Sequence, residues 1–326
     1  MDLTLIIPTF NRSDYLNRAL RYYDAAKFSG AILIGDSSDD MAEKKINRSL
    51  VEQYPNLNIK YQYFNLEGSN PQHAAIKMFF LSDEIKTSYV AFAGDDDFQI
   101  PNGLMQCVRF LDKNPDYVAA HGLRYNFTLD NAVYGNIIEI DANEGYSWDT
   151  DNPVERWHNY MECGIATVFY VHRTPIWKKC FAYSLKAKAD YIGNELIQCS
   201  LCAILGKVKK LDCPTTIFQR NTPNKIFSFR DITLWDLING KYWAQSVKVY
   251  EKAVSLELSV YMPIEEAKKI FYREFWYHCL LIMNSQFTTK YSEKRSETTR
   301  PPIDFSGMTK KNDFFLVHKI LKGGTK

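Results

Sequence analysis

Leucine and β-branched residues run without a break over positions 3–7 and stop at Pro8. A segment that is apolar on both sides must be buried on both faces, the pattern of a central parallel strand that ends in a loop. The period then changes. Tyr15, Leu16, Ala19, Leu20, Tyr22 and Tyr23 recur at helical spacing, with Ser13 placed to cap the start. AILIGD at 31–36 predicts a second strand, followed by the polar turn SSDD and a helical stretch through Leu50 and Tyr54. Further strands are predicted at 59–64 and 89–93, with a helix over 72–81 between them. Strands alternating with helices at this spacing imply βαβ units, hence an α/β fold with a mostly parallel sheet flanked by helices.

Farther along, a helix is predicted at 104–112, two or three strands within 117–140, and a strand over 165–171 ending at His172 and Arg173. A helix over 191–205 is closed by Gly206 and leads to a last strand at 207–211. After Phe229 the pattern is helical, over 235–256 and 263–284, and the polar, proline-containing stretch 286–312 predicts a loop or linker. The expected organisation is therefore an α/β domain over 1–225 and a helical C-terminal region with a basic tail over 226–326.

Composition changes this picture little. Hydrophobic residues make up 46% and charged residues 24% of the 326, an ordinary globular balance. A formal charge of +2 argues against nucleic acid as a partner. Seven cysteines form an odd set, and Cys199 and Cys202 share one face of an apolar helix, so buried thiols in a reducing compartment are expected. The N-terminal residues lack a basic segment and no apolar run is long enough to span a bilayer, which leads to the expectation of a cytoplasmic protein.

Local chemistry is more informative. Parallel sheets bind ligands at the carboxyl ends of their strands, and three such ends carry polar or acidic loops: 8–12, 36–40 and 94–98. In the last, Asp95, Asp96 and Asp97 follow Gly94 directly. Three adjacent carboxylates repel one another, and a hard divalent cation such as Mg²⁺ or Mn²⁺, which takes one or two protein carboxylates together with substrate phosphates, would relieve that. The plainer reading of such a run is a solvated turn that caps the next helix.

With LTLIIPTFNR at the first strand, ILIGDSSDD at the second and YVAFAGDDD followed by Pro101 at the fourth, the chain resembles the GT-A glycosyltransferases, specifically the large inverting family 2 group. The resemblance covers about residues 3–220. It implies a GT-A fold and transfer of a sugar from a nucleotide-sugar donor, most often a UDP-sugar, to a hydroxyl of a glycan or lipid-linked acceptor, as in polysaccharide biosynthesis. Carried over by position, it implies that Pro8, Thr9 and Arg12 line the nucleotide site and that Asp36 accepts a hydrogen bond from the base. Asp97 would hold Mn²⁺ or Mg²⁺, with Asp95 and Asp96 shared between metal and ribose. Aligned on Pro101 the family's first acid falls on Gly94, whereas aligned on the acids it falls on Asp95. His73 and Lys77, one helical turn apart, would face the diphosphate. Glu195, counted back from Gly206, would be the catalytic base, with Asp190 as the alternative, and Arg220 in FQRN would bind a phosphate or order a loop.

Aromatic residues of the C-terminal helices, among them Trp235, Trp243, Phe271 and Trp276, have spacings that favour packing in a core or an oligomer interface. From Gln286 onward nine Lys or Arg face four acids, a local excess that would draw the tail to the inner face of a membrane as a peripheral contact. Two other readings stay open: a sugar-phosphate nucleotidyltransferase, which usually opens on a glycine-rich basic loop unlike PTFNR, and a non-catalytic nucleotide-sugar-binding scaffold.

Overall fold

The computed structural model describes residues 1–66, 72–143, 145–164, 166–189, 191–222, 233–291 and 312–323. The first half runs β1 (Leu3–Thr9), α1 (Ser13–Ala25), β2 (Ala31–Asp36), α2 (Met41–Gln53), β3 (Asn58–Tyr63), α3 (Gln72–Leu81), β4 (Tyr89–Phe92), β5 (Phe98–Gln99) and α4 (Pro101–Lys113). Then follow β6 (Tyr117–Leu129), β7 (Ile137–Asn143), α5 (Pro153–Cys163), β8 (Val171–Arg173), α6 (Thr174–Ser184), α7 (Ile197–Leu205) and β9 (Lys207–Gln219). Helices α8 (Leu234–Ile238), α9 (Trp243–Leu258), α10 (Ile264–Tyr291) and α11 (Asn312–Leu321) complete the described chain.

The strands form one sheet in the order β3-β2-β1-β4-β8-β6-β9-β5, with β7 paired to β6. β3, β2, β1 and β4 are parallel, as are β6 and β9, whereas β8, β5 and β7 pair antiparallel to their neighbours. The period of two is visible in the packing. Leu3, Leu5 and Ile7 enter the same core as α1, while Ile6 and Val90 face α3 and α6 with Met78, Trp177 and Phe181. This places helices on both faces of the sheet, as the α/β reading expects. A second core joins α5, α7, α9 and α10, with Trp157, Tyr250, Phe271 and Phe275 all fully buried. The aromatic spacing of the C-terminal helices is therefore largely core packing, although Trp235 and Trp276 remain exposed.

Several elements depart from the periodicity. Ser13 does not cap α1; it is the first helical residue, and its N–H donates to Glu43 of α2 at 2.7 Å. The strand expected at 165–171 is a 3₁₀ turn, Thr167–Phe169, and then the short β8. His172 Nε2 bonds the Thr167 carbonyl at 2.7 Å and closes that turn. The helix expected over 235–256 is interrupted at Gly240 between α8 and α9. α10 continues past 284 to Tyr291, into the stretch read as a linker, whose residues 292–311 lie outside the described residues. α11 was not expected, and it packs on α1, with Phe314, Val317, Ile320 and Leu321 in the core of the α/β sheet. All seven cysteines are free, and burial pushes Cys199 and Cys202 up to about 12, as expected of inert thiols. Among the described residues no helix is long and apolar enough to cross a membrane.

Candidate active site

The β1 and β2 ends are stitched together by Asn11, which takes a left-handed φ of 51° that Asn tolerates better than most residues. Its N–H donates to Ser38 Oγ at 2.8 Å, its side-chain amide donates to Asp39, and its side-chain carbonyl accepts from the Asp40 N–H at 3.1 Å. Lys77 of α3 braces the same two ends from below, donating to the Thr9 carbonyl at 2.7 Å and to Ser37 Oγ at 2.8 Å. Burial pushes its pKa down to about 8, against the pull of Asp95 and Asp36. Its ammonium is thus occupied within the chain as well as lying beside the acids.

Asp36 is fully buried. Its Oδ1 accepts from the Ser38 N–H and hydroxyl at 2.7 and 2.6 Å, and its Oδ2 from Asn47 and Tyr61 at 3.1 and 2.7 Å. Four donors fill the acceptor capacity of a carboxylate. Asp36 therefore organises the loop after β2, and the N–H of a base would have to displace one of those donors.

The three aspartates after β4 are buried and divided among different partners. Asp95 Oδ2 accepts from Thr9 Oγ1 at 2.8 Å, and Asp95 Oδ1 lies 3.2 Å from Arg12 Nη1. Asp96 Oδ2 lies 3.0 Å from Arg12 Nη2, and Asp97 Oδ1 accepts from the Gln219 N–H at 2.9 Å. Burial opposes the Arg12 charge, but Asp95 and Asp96 raise its pKa overall; burial also pushes Asp95 above the usual carboxylate range. Among the described residues no three acidic, His or Cys side chains form a ready metal cage, and Asp95 is drawn to Thr9 and Arg12.

Asp96 and Asp97 remain a pair. A Cβ on Gly94 would lie 2.5 Å from Asp97 Oδ2 and 2.8 Å from Asp96 Oδ1, so these two oxygens approach one point that only glycine leaves free. The two carboxylates lie close together beside the Arg12 guanidinium, and carboxylate oxygens are the donors a hard divalent cation takes together with phosphate oxygens. Glycine at position 94 is thus what lets Asp96 and Asp97 close together.

Glu195 sits in a π-helical turn, Tyr191–Leu196, that precedes α7. Such widened turns recur at functional sites because they re-aim a side chain. It lines a cavity of about 490 Å³ between α5, α7 and α10, and among the described residues nothing hydrogen-bonds its carboxylate. Burial alone pushes its pKa up to about 7. Ala166 borders both this cavity and a smaller one, of about 20 Å³, that contains Arg124, Tyr170 and Thr216. Asp190 lies outside the described residues, as does the side chain of His73. Arg220 follows Gln219 in the chain, but its guanidinium is turned onto β7, 3.4 Å from Glu139 and paired with Asp141.

The periodicity concealed three residues of this region. Arg18 lies on the core face of α1, three residues after Tyr15, and donates to the Asp96 carbonyl at 2.7 Å. Gln219 links Asp97 to the β6–β7 turn through a 2.7 Å bond to the Ala132 carbonyl. Arg124 stacks over Phe218 at 5.5 Å, with its buried Nε unpartnered and Asp97 and Asp141 nearby. A polar or charged residue among apolar positions of a helix or a strand was the available signal.

No protein-family model and no curated protein sequence matches the chain. Solved structures do resemble it. TarS from S. aureus matches at TM-score 0.43 and 14% identity over 81% of this chain and 45% of that one, so the chain spans less than half of that TarS. TarS 1–349 in complex with UDP-GlcNAc matches at TM-score 0.46 and 12% identity, over 89% of this chain and 92% of that one. The mannosyltransferase PcManGT from Pyrobaculum calidifontis, in complex with GDP-Man and Mn²⁺, matches at TM-score 0.44 and 11% identity, over 98% and 84%. Likeness at this level says nothing about chemistry, which depends on the side chains described above.

Proposed function

We propose that the chain is a GT-A-type glycosyltransferase that moves a sugar from a nucleoside diphosphate, most often UDP, to an acceptor hydroxyl with inversion. The observation that carries this reading is that the chain holds two unlike carboxylate sites. One is the Asp95–Asp97 loop with Arg12 and Thr9. The other is Glu195, unpartnered in a cavity wall and raised to about 7 by burial.

In this reading Pro8, Thr9, Arg12 and Lys77 frame the donor end of the site, and Arg12 balances the acids while the donor binds. Asp97 and Asp96 would hold Mn²⁺ or Mg²⁺, which supplies positive charge to the departing diphosphate. The acceptor oxygen attacks the anomeric carbon as its proton passes to the Glu195 carboxylate, and the bond from that carbon to the diphosphate oxygen breaks. A carboxyl with a pKa near neutrality suits such a proton transfer, being ionised often enough to act and basic enough to take the proton. Asp36 serves by holding the β2 loop, and Arg220 by joining β9 to β7. Glycan and lipid-linked acceptors both satisfy the chemistry.

The test is a thermal-shift and calorimetric titration of UDP-, GDP- and CMP-sugars with and without Mn²⁺, because a ligand that binds only the native state raises its apparent stability. Stabilisation by a nucleotide sugar, together with an inverted anomer in the product, supports the proposal. No binding of any nucleotide sugar in either condition removes it.

A further inference from the structure

The cavity beside Glu195 is unlike the donor end in its charge. Around the three aspartates Arg12, Lys77 and Arg124 all approach. Around the cavity, no Lys or Arg is among the described lining residues, and its ionisable acids are Glu162 and Glu195.

Its one imidazole is that of His278, whose Nδ1–H donates to the Met161 carbonyl at 2.5 Å and whose Nε2 lies 2.6 Å from the Tyr191 hydroxyl, a group that can donate or accept. Burial also lowers the His278 pKa. Leu281 and Ile282, one turn beyond His278 on α10, and Leu196 of the π-helical turn add apolar lining.

We infer that this cavity, walled by α10, is the acceptor subsite and that it takes an uncharged, polyhydroxylated group such as a neutral sugar ring, excluding acceptors that carry phosphate or carboxylate there. This rests on the function proposed above. Hydroxyls donate to the Glu162 and Glu195 carboxylates, while ring C–H faces lie on Leu281, Ile282 and the tyrosine rings. An anion in the same place would be desolvated next to two carboxylates with no cation among the described lining residues to compensate, the arrangement that costs most in a partly buried site. The volume of about 490 Å³ lies within the range of small-molecule sites. Selection of the acceptor thus falls to α10, apart from the residues that hold the donor.

The experiment uses the full chain with UDP and Mn²⁺ present. The probes are p-nitrophenyl glycosides of glucose, galactose, mannose and N-acetylglucosamine, each paired with its 6-phosphate, with binding read by calorimetry. At least one neutral glycoside should bind roughly tenfold more tightly than its phosphate, as expected for an uncompensated anion. Glu162 lies exposed at the rim, so Glu162→Lys should fold and should shift that ratio toward the phosphate by about fivefold or more. Leu281→Trp should fill the cavity and weaken the neutral glycoside. A 6-phosphate that binds as tightly as its neutral partner overturns the inference, as does failure of every neutral glycoside to bind. UDP binding without glycoside binding sinks this inference alone, whereas absence of UDP and nucleotide-sugar binding sinks the donor reading.

Discussion

Arg18 Nη2 donates to the carbonyl oxygen of Asp96 at 2.7 Å, so the first helix holds the backbone of the acid loop from within the core. Its Nη1 reaches the Val133 carbonyl at 2.6 Å, and its guanidinium lies against the rings of Tyr15 and Phe98. Arg18→Met keeps the bulk but leaves two carbonyls without their donor. With hydrogen bonds to charged groups contributing about 1.5–3 kcal/mol each, the loss should be about 3 kcal/mol or more, read as a lower urea midpoint. An unmoved midpoint would show that Arg18 braces nothing.

Glu195 should impose a pH profile on turnover. Its ionised form is the base, so kcat should rise with pH through about 7 and then level off. Glu195→Gln should flatten that limb and lower kcat by roughly 10²–10⁴ while donor affinity stays nearly the same. Retention of the wild-type profile in the variant excludes Glu195 as the base.

The same residue makes a prediction about stability that needs no substrate. Its folded-state pKa, about 7, is above the ordinary 4.5, so between those values the native chain holds more protons than the unfolded one. Stability from this group therefore falls as pH rises through that window. Glu195→Gln removes the cost of ionising a desolvated carboxyl, and its melting temperature should gain on the wild type from low pH to pH 8. A difference that is constant with pH contradicts the burial of this group.

Metal dependence should separate from folding at Asp97. Asp97→Asn keeps an oxygen for the Gln219 N–H, now 2.9 Å from Asp97 Oδ1, but removes the charge shared with Asp96. Native-like melting with loss of Mn²⁺-dependent UDP binding is expected. Full turnover of the wild type in EDTA removes the metal from this account.

α11 should matter to the α/β core although it is last in the chain. Phe314, Val317, Ile320 and Leu321 are at most 3% exposed, and the Leu321 carbonyl accepts from the Gly135 N–H at 2.9 Å in the β6–β7 turn. That turn is also the one bonded by Arg18 and Gln219, so the helix supports the acid loop from behind. Each buried side chain of this kind stabilises by roughly 1.5–3 kcal/mol, and a chain ending at residue 311 should lose most of its cooperative thermal transition. A sharp, unshifted melt monitored by circular dichroism argues that α11 is an accessory.

The α/β alternation, the parallel strands from β1 to β4 and the acid-bearing strand ends were legible in the sequence. They depend on local periodicity and on the rule that parallel strands, buried on both faces, end in ligand loops. The division of labour among the acids was not legible. Asp95, Asp96 and Asp97 are adjacent and chemically equal in the chain, and only the placement of Thr9 at the end of β1, Arg12 before α1 and Gln219 of β9 gives them unlike sets of partners. Asp36 looked like a ligand residue for the same reason, yet Asn47 and Tyr61 arrive from α2 and β3 to occupy it. The return of α11 to α1 was equally hidden, since an amphipathic helix does not state which apolar surface it will cover. Local pattern determined the elements and pointed to the carboxylates; which of those groups is satisfied and which is left facing a cavity was decided by contacts between residues far apart in sequence, because hydrogen-bond satisfaction and desolvation are properties of the packed chain.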